Sequence, residues 1–197
     1  AVGLDVKPVL LDVTEPDHIA RAGEMIGRDF DRLDILVNNA GIAHPDEPLC
    51  DNSAATVSMR ALRRTFDVNF FGLVELTQVL LPLIRKSQAG RIVNVSSMLG
   101  SLTLHADPQG GLDQVKPLAY DASKAAVNMF TLHLAALLKN SPVKVNSAHP
   151  GWVRTGLGGD QAPMEPAEGA RTSVELATLD ENGPTGGFFH VGETMPW

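Results

Sequence analysis

The stretch Arg91-Ile92-Val93-Asn94-Val95-Ser96-Ser97 carries the clearest strand signal in this 197-residue chain. A second strand is predicted at Leu33-Asp34-Ile35-Leu36-Val37, which is apolar along most of its length. Strands of that kind are typical of a buried parallel sheet. Small or polar residues follow both strands, and open α/β sheets bind ligands at the carboxyl ends of their strands. Function is therefore expected at these strand ends.

Strands and helices alternate along the rest of the chain. Apolar residues at helical spacing predict helices over residues 16–29, 53–85, 119–138 and 167–176. Thr14 as a cap and Pro16 in the first turn mark the start of the first helix. Further strands are predicted over residues 8–13, 143–148 and 186–190. The alternation predicts an α/β fold with a doubly wound parallel sheet, helices on both faces and a single domain over residues 1–197.

The charge balance argues against a polyanionic partner. The chain has 16 Lys and Arg residues against 23 Asp and Glu residues, which gives a formal net charge of −7. No basic patch is evident, so neither nucleic acid nor an anionic membrane surface is expected as a partner. A small-molecule substrate is the better expectation.

Cysteine, histidine and hydropathy patterns indicate compartment and metal content. Cys50 is the only cysteine, so an internal disulfide is excluded and a reducing cytosol is favoured. No run approaches eighteen consecutive apolar residues, and the start lacks the regions of a signal peptide. We expect a cytoplasmic protein without a membrane segment. The six histidines are scattered, so no bound metal is expected.

Tyr120, the only tyrosine, lies four residues before Lys124 in the run Tyr120-Asp121-Ala122-Ser123-Lys124. On a helix these two side chains share a face. Tyrosine ionises at about pH 10 in water, so it needs an adjacent cation to act as an acid or base near neutrality. Taken alone, the pair also fits an ordinary helix surface.

Three further polar residues have a structural and a functional interpretation. The Ser97 hydroxyl could hydrogen-bond a substrate carbonyl, or it could cap the turn after the strand, which is the preferred interpretation of Ser96. Asn69 lies among apolar residues on a predicted helix, where a buried amide needs partners. It is either a functional residue or a satisfied core asparagine.

Two loops follow predicted strands and could contact a flat or phosphorylated ligand. Asn38-Asn39-Ala40-Gly41 consists of small residues that allow close approach of the backbone. Pro150-Gly151-Trp152-Val153-Arg154-Thr155 could wrap the edge of a ligand with free backbone groups. Each loop could also be an ordinary tight turn.

Together these residues resemble the short-chain dehydrogenase/reductase family, most closely its carbonyl-reductase-like members. The resemblance extends from Asp12-Val13 to Trp197. It implies a Rossmann-like fold, NADP or NAD as cofactor with NADP slightly favoured, and reduction of an aldehyde or ketone to an alcohol, or the reverse. The alternative is a catalytically inactive nucleotide-binding or scaffold protein that retains the fold.

The resemblance also implies roles for the four candidate catalytic residues. Tyr120 is the expected proton donor to the carbonyl oxygen, and Ser97 is expected to hold that oxygen. Lys124 is expected to bind the nicotinamide ribose and to lower the tyrosine pKa. Asn69 is expected to anchor a water in a proton relay.

The cofactor-binding residues implied by the resemblance lie in three places. Asp12 and Val13 correspond to positions beside the adenine, and the Asn39-Ala40-Gly41 loop corresponds to the adenosine ribose region. The carboxamide and phosphates are expected against the loop containing Pro150, Gly151, Val153 and Thr155. Tyr120 and Lys124 complete the expected set.

The family's Gly-rich turn, with its preceding strand and following helix, has no match in this sequence. The chain is therefore predicted to be N-terminally incomplete, a piece of a longer protein, with two empty places between its first strand and the next. Direct pairing of its first two strands would contradict this hypothesis.

The spacing between Ser97 and Tyr120 is longer than in most family members and resembles the insertion of carbonyl reductases. Residues 101–117 are expected to border the substrate pocket. Such an insertion can cover a dimer interface, so both a monomer and a homo-oligomer remain open. Residues 156–163 are interpreted either as a substrate lid or as a mobile connector, with Trp152 as an apolar wall nearby.

Overall fold

Five strands form one sheet in the computed structural model, which describes residues 3, 5–43, 52–109, 111–112 and 116–197. The order is β1-β2-β3-β4-β5; the first four strands are parallel, and β5 is antiparallel to β4. The strands are β1 Ile35–Asn38, β2 Arg91–Val95, β3 Lys144–Ala148, β4 Phe188–His190 and β5 Glu193–Thr194. The predicted parallel α/β sheet is confirmed, whereas β5 was not predicted.

Helices connect the strands. They are α1 Pro16–Asp29, α2 Met59–Phe66, α3 Gly72–Ile84, α4 Leu102–Ala106, α5 Leu118–Leu137, α6 Pro166–Gly169 and α7 Arg171–Ala177. A π-helical turn, Asp67–Phe71, joins α2 to α3, and a 3₁₀ turn, Met98–Gly100, follows β2. The helix predicted over residues 167–176 is instead two short helices that meet at Ala170.

Apolar side chains cover both faces of the sheet. Leu36, Ile92 and Val145 are neighbours in the strand register and pack in one buried cluster with α3 and α5. Val93 points to the other face, where it packs in a second cluster with Leu176 of α7. Because successive strand residues face opposite sides, one apolar strand binds helices on both faces, as predicted.

The segment from α2 through α3 is a core element. Met59–Ile84 is 26 residues long and apolar enough, by length and composition alone, to cross a membrane. Its buried residues Leu76 and Leu80 belong to the cluster that covers the sheet, as in the core helix of a globular protein. Helical structure begins at Met59 and not at Ser53 because the Ser58 hydroxyl accepts a hydrogen bond from Ala61 N at 3.0 Å and caps the helix.

The strand predicted over residues 8–13 is wrong. This segment forms no ladder with any strand in the described part of the chain, and Leu10 is 80% exposed. An extended segment needs a neighbouring strand to satisfy its backbone groups, and β1 does not pair with it. Thr14 is not the cap of α1 either, because Glu15 occupies that position and Thr14 binds the Asp12 carboxylate.

Strand β1 is consequently an edge of the sheet. Its partner on one side is β2, and Val37 is 40% exposed on the face opposite the main core. The direct pairing of residues 8–13 with this strand, which would have contradicted the hypothesis of an incomplete domain, is absent from the described residues.

A chain of buried polar side chains holds the carboxyl ends of three strands in register. Asn38 Nδ2 donates to Asn94 Oδ1 at 2.8 Å, and Asn94 Nδ2 donates to Thr131 Oγ1 at 2.9 Å. The Ser147 hydroxyl donates to the same threonine oxygen at 2.9 Å. Thr131 lies on α5, so this network ties β1, β2 and β3 to the helix that carries Tyr120. Fully paired buried polar groups of this kind are rigid.

Candidate active site

The carboxyl ends of β1, β2 and β3 open into a cavity of about 570 Å³. Its volume lies in the range of small-ligand sites. Most of the predicted site residues lie on its wall, namely Asn39, Gly41, Ser97, Tyr120, Lys124, Pro150, Gly151, Val153 and Thr155. Trp152, Leu157 and Val174 add a largely apolar side to the same cavity. The structure therefore brings the predicted cluster together in one cleft.

Lys124 is buried beside the end of β2. Its Nζ donates to Val95 O at 2.8 Å, and its side chain is almost inaccessible. A Cβ at Gly41 would lie 3.4 Å from the same nitrogen. The loop after β1, residues 39–42, which is called the glycine loop below, therefore passes close to the ammonium. Burial lowers the pKa of Lys124 to about 8. The ammonium is thus poised to change its charge near neutral pH.

Tyr120 is covered by the same cluster. Lys124 Nζ lies 5.6 Å from the centroid of the phenol ring. Burial raises the pKa of Tyr120; a hydrogen bond with the Ser97 side chain opposes this shift, and the nearby Asp121 charge adds to it. The net shift is upward because burial of the phenol outweighs the Ser97 hydrogen bond, and the lowering of this pKa by Lys124 stays a prediction. The phenol is therefore held in its neutral, proton-donating form.

The two serines after β2 have different environments. Ser97 Oγ accepts a hydrogen bond from Leu99 N at 3.2 Å, so it caps the 3₁₀ turn in addition to contacting Tyr120. Ser96 Oγ is buried and donates to Lys124 O at 3.3 Å. Ser97 therefore caps the turn and also lies on the cavity wall, while its hydrogen bond to a substrate carbonyl stays a prediction; Ser96 is structural, as preferred.

Asn69 connects the glycine loop to α5. Its Oδ1 accepts from Ile42 N at 2.8 Å, and its Nδ2 donates to Ile42 O and to Ser123 Oγ, both at 2.9 Å. The Ser123 hydroxyl in turn donates to Tyr120 O at 2.7 Å. The side chain is therefore a satisfied buried amide, and its predicted part in a proton relay stays a prediction. Ser123 was missed by the sequence reasoning.

The loop after β3 is held by tertiary contacts. Gly151 has φ +87°, and a Cβ there would lie 2.3 Å from Met164 Sδ, so a larger residue would clash. Val153 forms a parallel bridge with Met164, and Arg154 Nη1 pairs with a Glu165 oxygen at 2.6 Å. These contacts present the backbone of the loop to the cavity.

His149, at the end of β3, was also missed. Its Nδ1 lies 3.3 Å from Met98 N, which donates to it, and its ring lies 4.7 Å from that of His190. Burial, and secondarily the charge of His190, lowers the pKa of His149 to about 4. The side chain is a neutral support between the two loops. No sequence signal distinguishes it from the other scattered histidines.

Three predicted cofactor residues lie elsewhere. Ala40 is not part of the cavity wall, although its neighbours Asn39 and Gly41 are. Asp12 and Val13 line a second cavity of about 570 Å³, against the π-helical turn and the start of α3. Val13 packs closely there, since a Cβ at Gly72 would lie 2.3 Å from its carbonyl oxygen. Bonds from Thr14 lower the pKa of Asp12, so this second cavity carries a negative charge.

No group of three or more His, Cys, Asp or Glu side chains in the described residues is arranged to hold a metal ion. The polar groups of the main cavity are instead hydroxyls, an amide and an ammonium. Such groups suit hydrogen bonding to a sugar or a carbonyl.

The chain is similar to known proteins over most of its length. The family model described as short chain dehydrogenase matches residues 1–166. The short-chain dehydrogenase anuI of Penicillium roqueforti is 36% identical over 175 residues, which cover 87% of this chain and 67% of that protein. Carbonyl reductase [NADPH] 1 of Mus musculus is 32% identical over 237 residues, which cover 100% of this chain and 82% of the mouse protein.

A solved structure of carbonyl reductase from chicken fatty liver, with NADPH bound, superposes with a TM-score of 0.82 at 28% identity. The match covers 96% of this chain and 76% of the chicken chain. The chain therefore belongs to the short-chain dehydrogenase family, and the predicted family, fold class and oxidoreductase class are confirmed. The same relatives support a nicotinamide cofactor, with NADP favoured over NAD.

Proposed function

We propose that this protein is an NADPH-dependent carbonyl reductase that reduces an apolar aldehyde or ketone to an alcohol, or carries out the reverse reaction. The observation that carries the proposal is the convergence of Ser97, Tyr120 and Lys124 on one cavity at the carboxyl ends of β2 and β3. The apolar character of the substrate follows from Trp152 and Leu157, which are more than half exposed on the same wall.

The residues present fit a nicotinamide cofactor. Lys124 and Asn39 offer a cation and an amide to ribose hydroxyls, and the loop from Pro150 to Thr155 offers backbone groups to a carboxamide. A Cβ at Gly41 would lie 3.4 Å from Lys124 Nζ, so the backbone of this loop lies beside the ammonium that would hold the ribose. When bound, the cofactor supplies the hydride that reduces the carbonyl carbon.

Tyr120 and Ser97 act on the carbonyl oxygen. The Ser97 hydroxyl hydrogen-bonds this oxygen and stabilises the negative charge that develops there. Tyr120, kept protonated by its raised pKa, donates its proton to the same oxygen, so an alcohol forms. The positive charge of Lys124 then stabilises the phenolate left behind. In the reverse direction the phenolate accepts the proton of a secondary alcohol.

Loss of NADPH absorbance with a panel of apolar aldehydes and ketones tests this proposal. Tyr120→Phe removes the proton donor, so we expect turnover to fall by about 10²–10⁴-fold. NADPH binding, followed by cofactor fluorescence, should persist in this variant. Ser97→Ala should also lose activity, whereas the matched hydroxyl deletion Ser141→Ala, outside the cavity wall, should not.

Two outcomes would contradict the proposal. Full activity of Tyr120→Phe would show that the phenol is not the donor. A protein that binds NADPH but turns over no carbonyl or alcohol would favour the inactive nucleotide-binding alternative.

A further inference from the structure

Helix α5 begins without a cap of its own. Its N-cap residue is Pro117, which lacks a backbone N–H and offers no side-chain cap. The first backbone N–H groups of a helix have no partners within the helix, and burying them unpaired is costly. Ala119, in this first turn, is completely buried. Tyr120 is the next residue, so the start of α5 determines where the phenol stands.

Asn52 supplies the missing partners from a distant part of the chain. Its backbone oxygen accepts from Leu118 N at 2.8 Å, and its Oδ1 accepts from Ala119 N at 3.1 Å. Asn52 is itself completely buried. One residue thus satisfies the two N–H groups immediately before Tyr120, through its main chain and its side chain. The two residues in the side-chain bond are 67 positions apart in the sequence.

We propose that Asn52 is a positioning residue for Tyr120, a role that rests on the proposed function. Asn52 binds the backbone N–H groups that precede Tyr120. On the other side of Tyr120, Ser123 accepts a hydrogen bond from Asn69 and donates one to Tyr120 O. Tyr120 is therefore held between two anchors whose partners lie on other elements. A displacement of about 1 Å at a reacting group costs on the order of 100-fold in rate, so loosening this turn affects the chemical step.

The Asn52 amide also indicates how its role can be separated from simple stabilisation. Its Nδ2 is buried and has no hydrogen-bond partner among the described residues, so the oxygen is the side-chain atom that acts on the helix. Asn52→Asp keeps an acceptor at the same place and removes the unpartnered donor. A carboxylate is tolerated at a helix N-terminus because the helix dipole favours negative charge there. Asn52→Ala removes the side-chain acceptor of Ala119 N, while the backbone oxygen of residue 52 can still accept from Leu118 N.

The test uses the fact that Tyr120 is the only tyrosine of the chain. Ultraviolet titration of tyrosinate absorbance therefore reports this phenol alone, without any need for turnover. We expect Asn52→Ala to move the phenol titration down toward that of a solvated tyrosine, because the loosened turn admits water. Asn52→Asp should not lower it. Ser58→Ala, which deletes the cap of α2, is the matched control and should leave the titration unchanged.

Kinetics give the second readout. In the active enzyme, Asn52→Ala should lower kcat by about 10–100-fold while the KM for NADPH stays within about twofold, and Asn52→Asp should restore most of kcat. Ser58→Ala should destabilise the fold without this loss. If Asn52→Ala fails to fold, Asn52→Ser replaces it, and an intermediate fall in both readouts is expected.

The inference is overturned if the Asn52 variants melt at lower temperature but keep the wild-type tyrosinate titration and kcat. Failure of the proposed function is distinguishable, because it would abolish turnover in the unmodified protein while the titration still reports on Asn52.

Discussion

The two cavities are built very differently. Around α5 and the end of β2, every predicted catalytic side chain is buried or half-buried and bonded to another element, as Lys124 is to Val95 and Asn69 to Ile42. Around residues 5–14 the chain has no helix or strand and is mostly exposed, and Leu10 is 80% accessible to solvent. The main cavity is fixed by several buried bonds, whereas the second cavity is held by the packing of Val13 and by the exposed bond from Asp12 N to His18 Nδ1.

This difference shows which part of the site the described chain organises through its own contacts. Catalytic geometry depends on buried bonds that fix side chains within a fraction of an ångström. The Ser97, Tyr120 and Lys124 cluster has such bonds. The Asp12 and Val13 region has a cavity and a charge, but its backbone lacks the sheet ladder that would make it rigid.

Among the variants that contrast the two cavities, the largest effect is expected from removing the cation of the main cavity. Lys124→Met keeps the length of the side chain but deletes the charge, so we expect activity to fall by about 10²–10³-fold. Wild-type activity should also fall as pH rises through about 8, because Lys124 loses its proton and with it the positive charge. Initial rates across pH check both statements. Lys139→Met, at an exposed lysine, is the control, and an equal loss there would remove the special role of Lys124.

A smaller effect, on stability, is expected from the link between the glycine loop and α5. Asn69→Ala leaves Ile42 N and O without their bonds, which should cost about 2–4 kcal/mol of unfolding free energy. Urea unfolding measures the loss. Asn182→Ala, at an exposed asparagine, should change stability by less than about 0.5 kcal/mol. Equal stability of the two variants would show that the loop is not anchored in solution.

The next effect is a change in how stability depends on pH. Burial raises the pKa of Asp121 to about 7, so the folded state keeps a proton that the unfolded state releases above its ordinary value of 3.8. This contribution falls as pH rises toward 7. His149, with its pKa lowered to about 4, contributes in the opposite sense, because the unfolded state gains a proton as pH falls below 6.5.

The two slopes therefore oppose each other between about pH 4 and 6.5. Asp121→Asn removes one of them, so the stability of this variant should rise more steeply with pH than that of the wild type, by on the order of 1–2 kcal/mol across this range. Urea unfolding at several pH values gives the slope. The reverse change, a shallower rise in Asp121→Asn, would contradict the assignment. In His149→Gln, the stability should instead rise less steeply with pH than in the wild type over the same range.

The smallest effect is expected in the exposed segment over residues 5–14, beside the second cavity. Leu10→Ala should change the unfolding free energy by less than about 0.5 kcal/mol, because Leu10 is 80% exposed. Leu80→Ala, in the buried cluster, should cost about 2–5 kcal/mol in the same assay. A large loss of unfolding free energy in Leu10→Ala would mean that residues 5–14 pack against the rest of the protein in solution. The contrast between the two cavities would then disappear.

Sequence reasoning succeeded where structure depends on nearby residues. The strand at Arg91–Val95 and the helix at Leu118–Leu137 lie within one or two residues of their predicted bounds. Both have a clear apolar period and a sharp break after it. The strand predicted over residues 8–13 failed because a short apolar run becomes a strand only beside a partner, and β1 is not that partner.

The residues missed at the site depend on distant contacts. Asn52, Ser123 and His149 gain their meaning from bonds to the start of α5, to Asn69 and to Met98, respectively. Nothing in the local sequence marks these bonds. The upward net shift of the Tyr120 pKa was not predicted either, since spacing places a lysine nearby but cannot measure the burial that raises the pKa.

The sequence by itself determined the α/β alternation and the shared helix face of Tyr120 and Lys124, because these follow from periodicity and short spacing, and its resemblance to the family predicted that Ser97 joins them. Only the tertiary structure decided which groups are desolvated, which bonds hold the first turn of α5, and that the segment over residues 8–13 stays outside the sheet. Burial and hydrogen bonding between remote residues are properties of the packed chain, and they are what gives a side chain its reactivity.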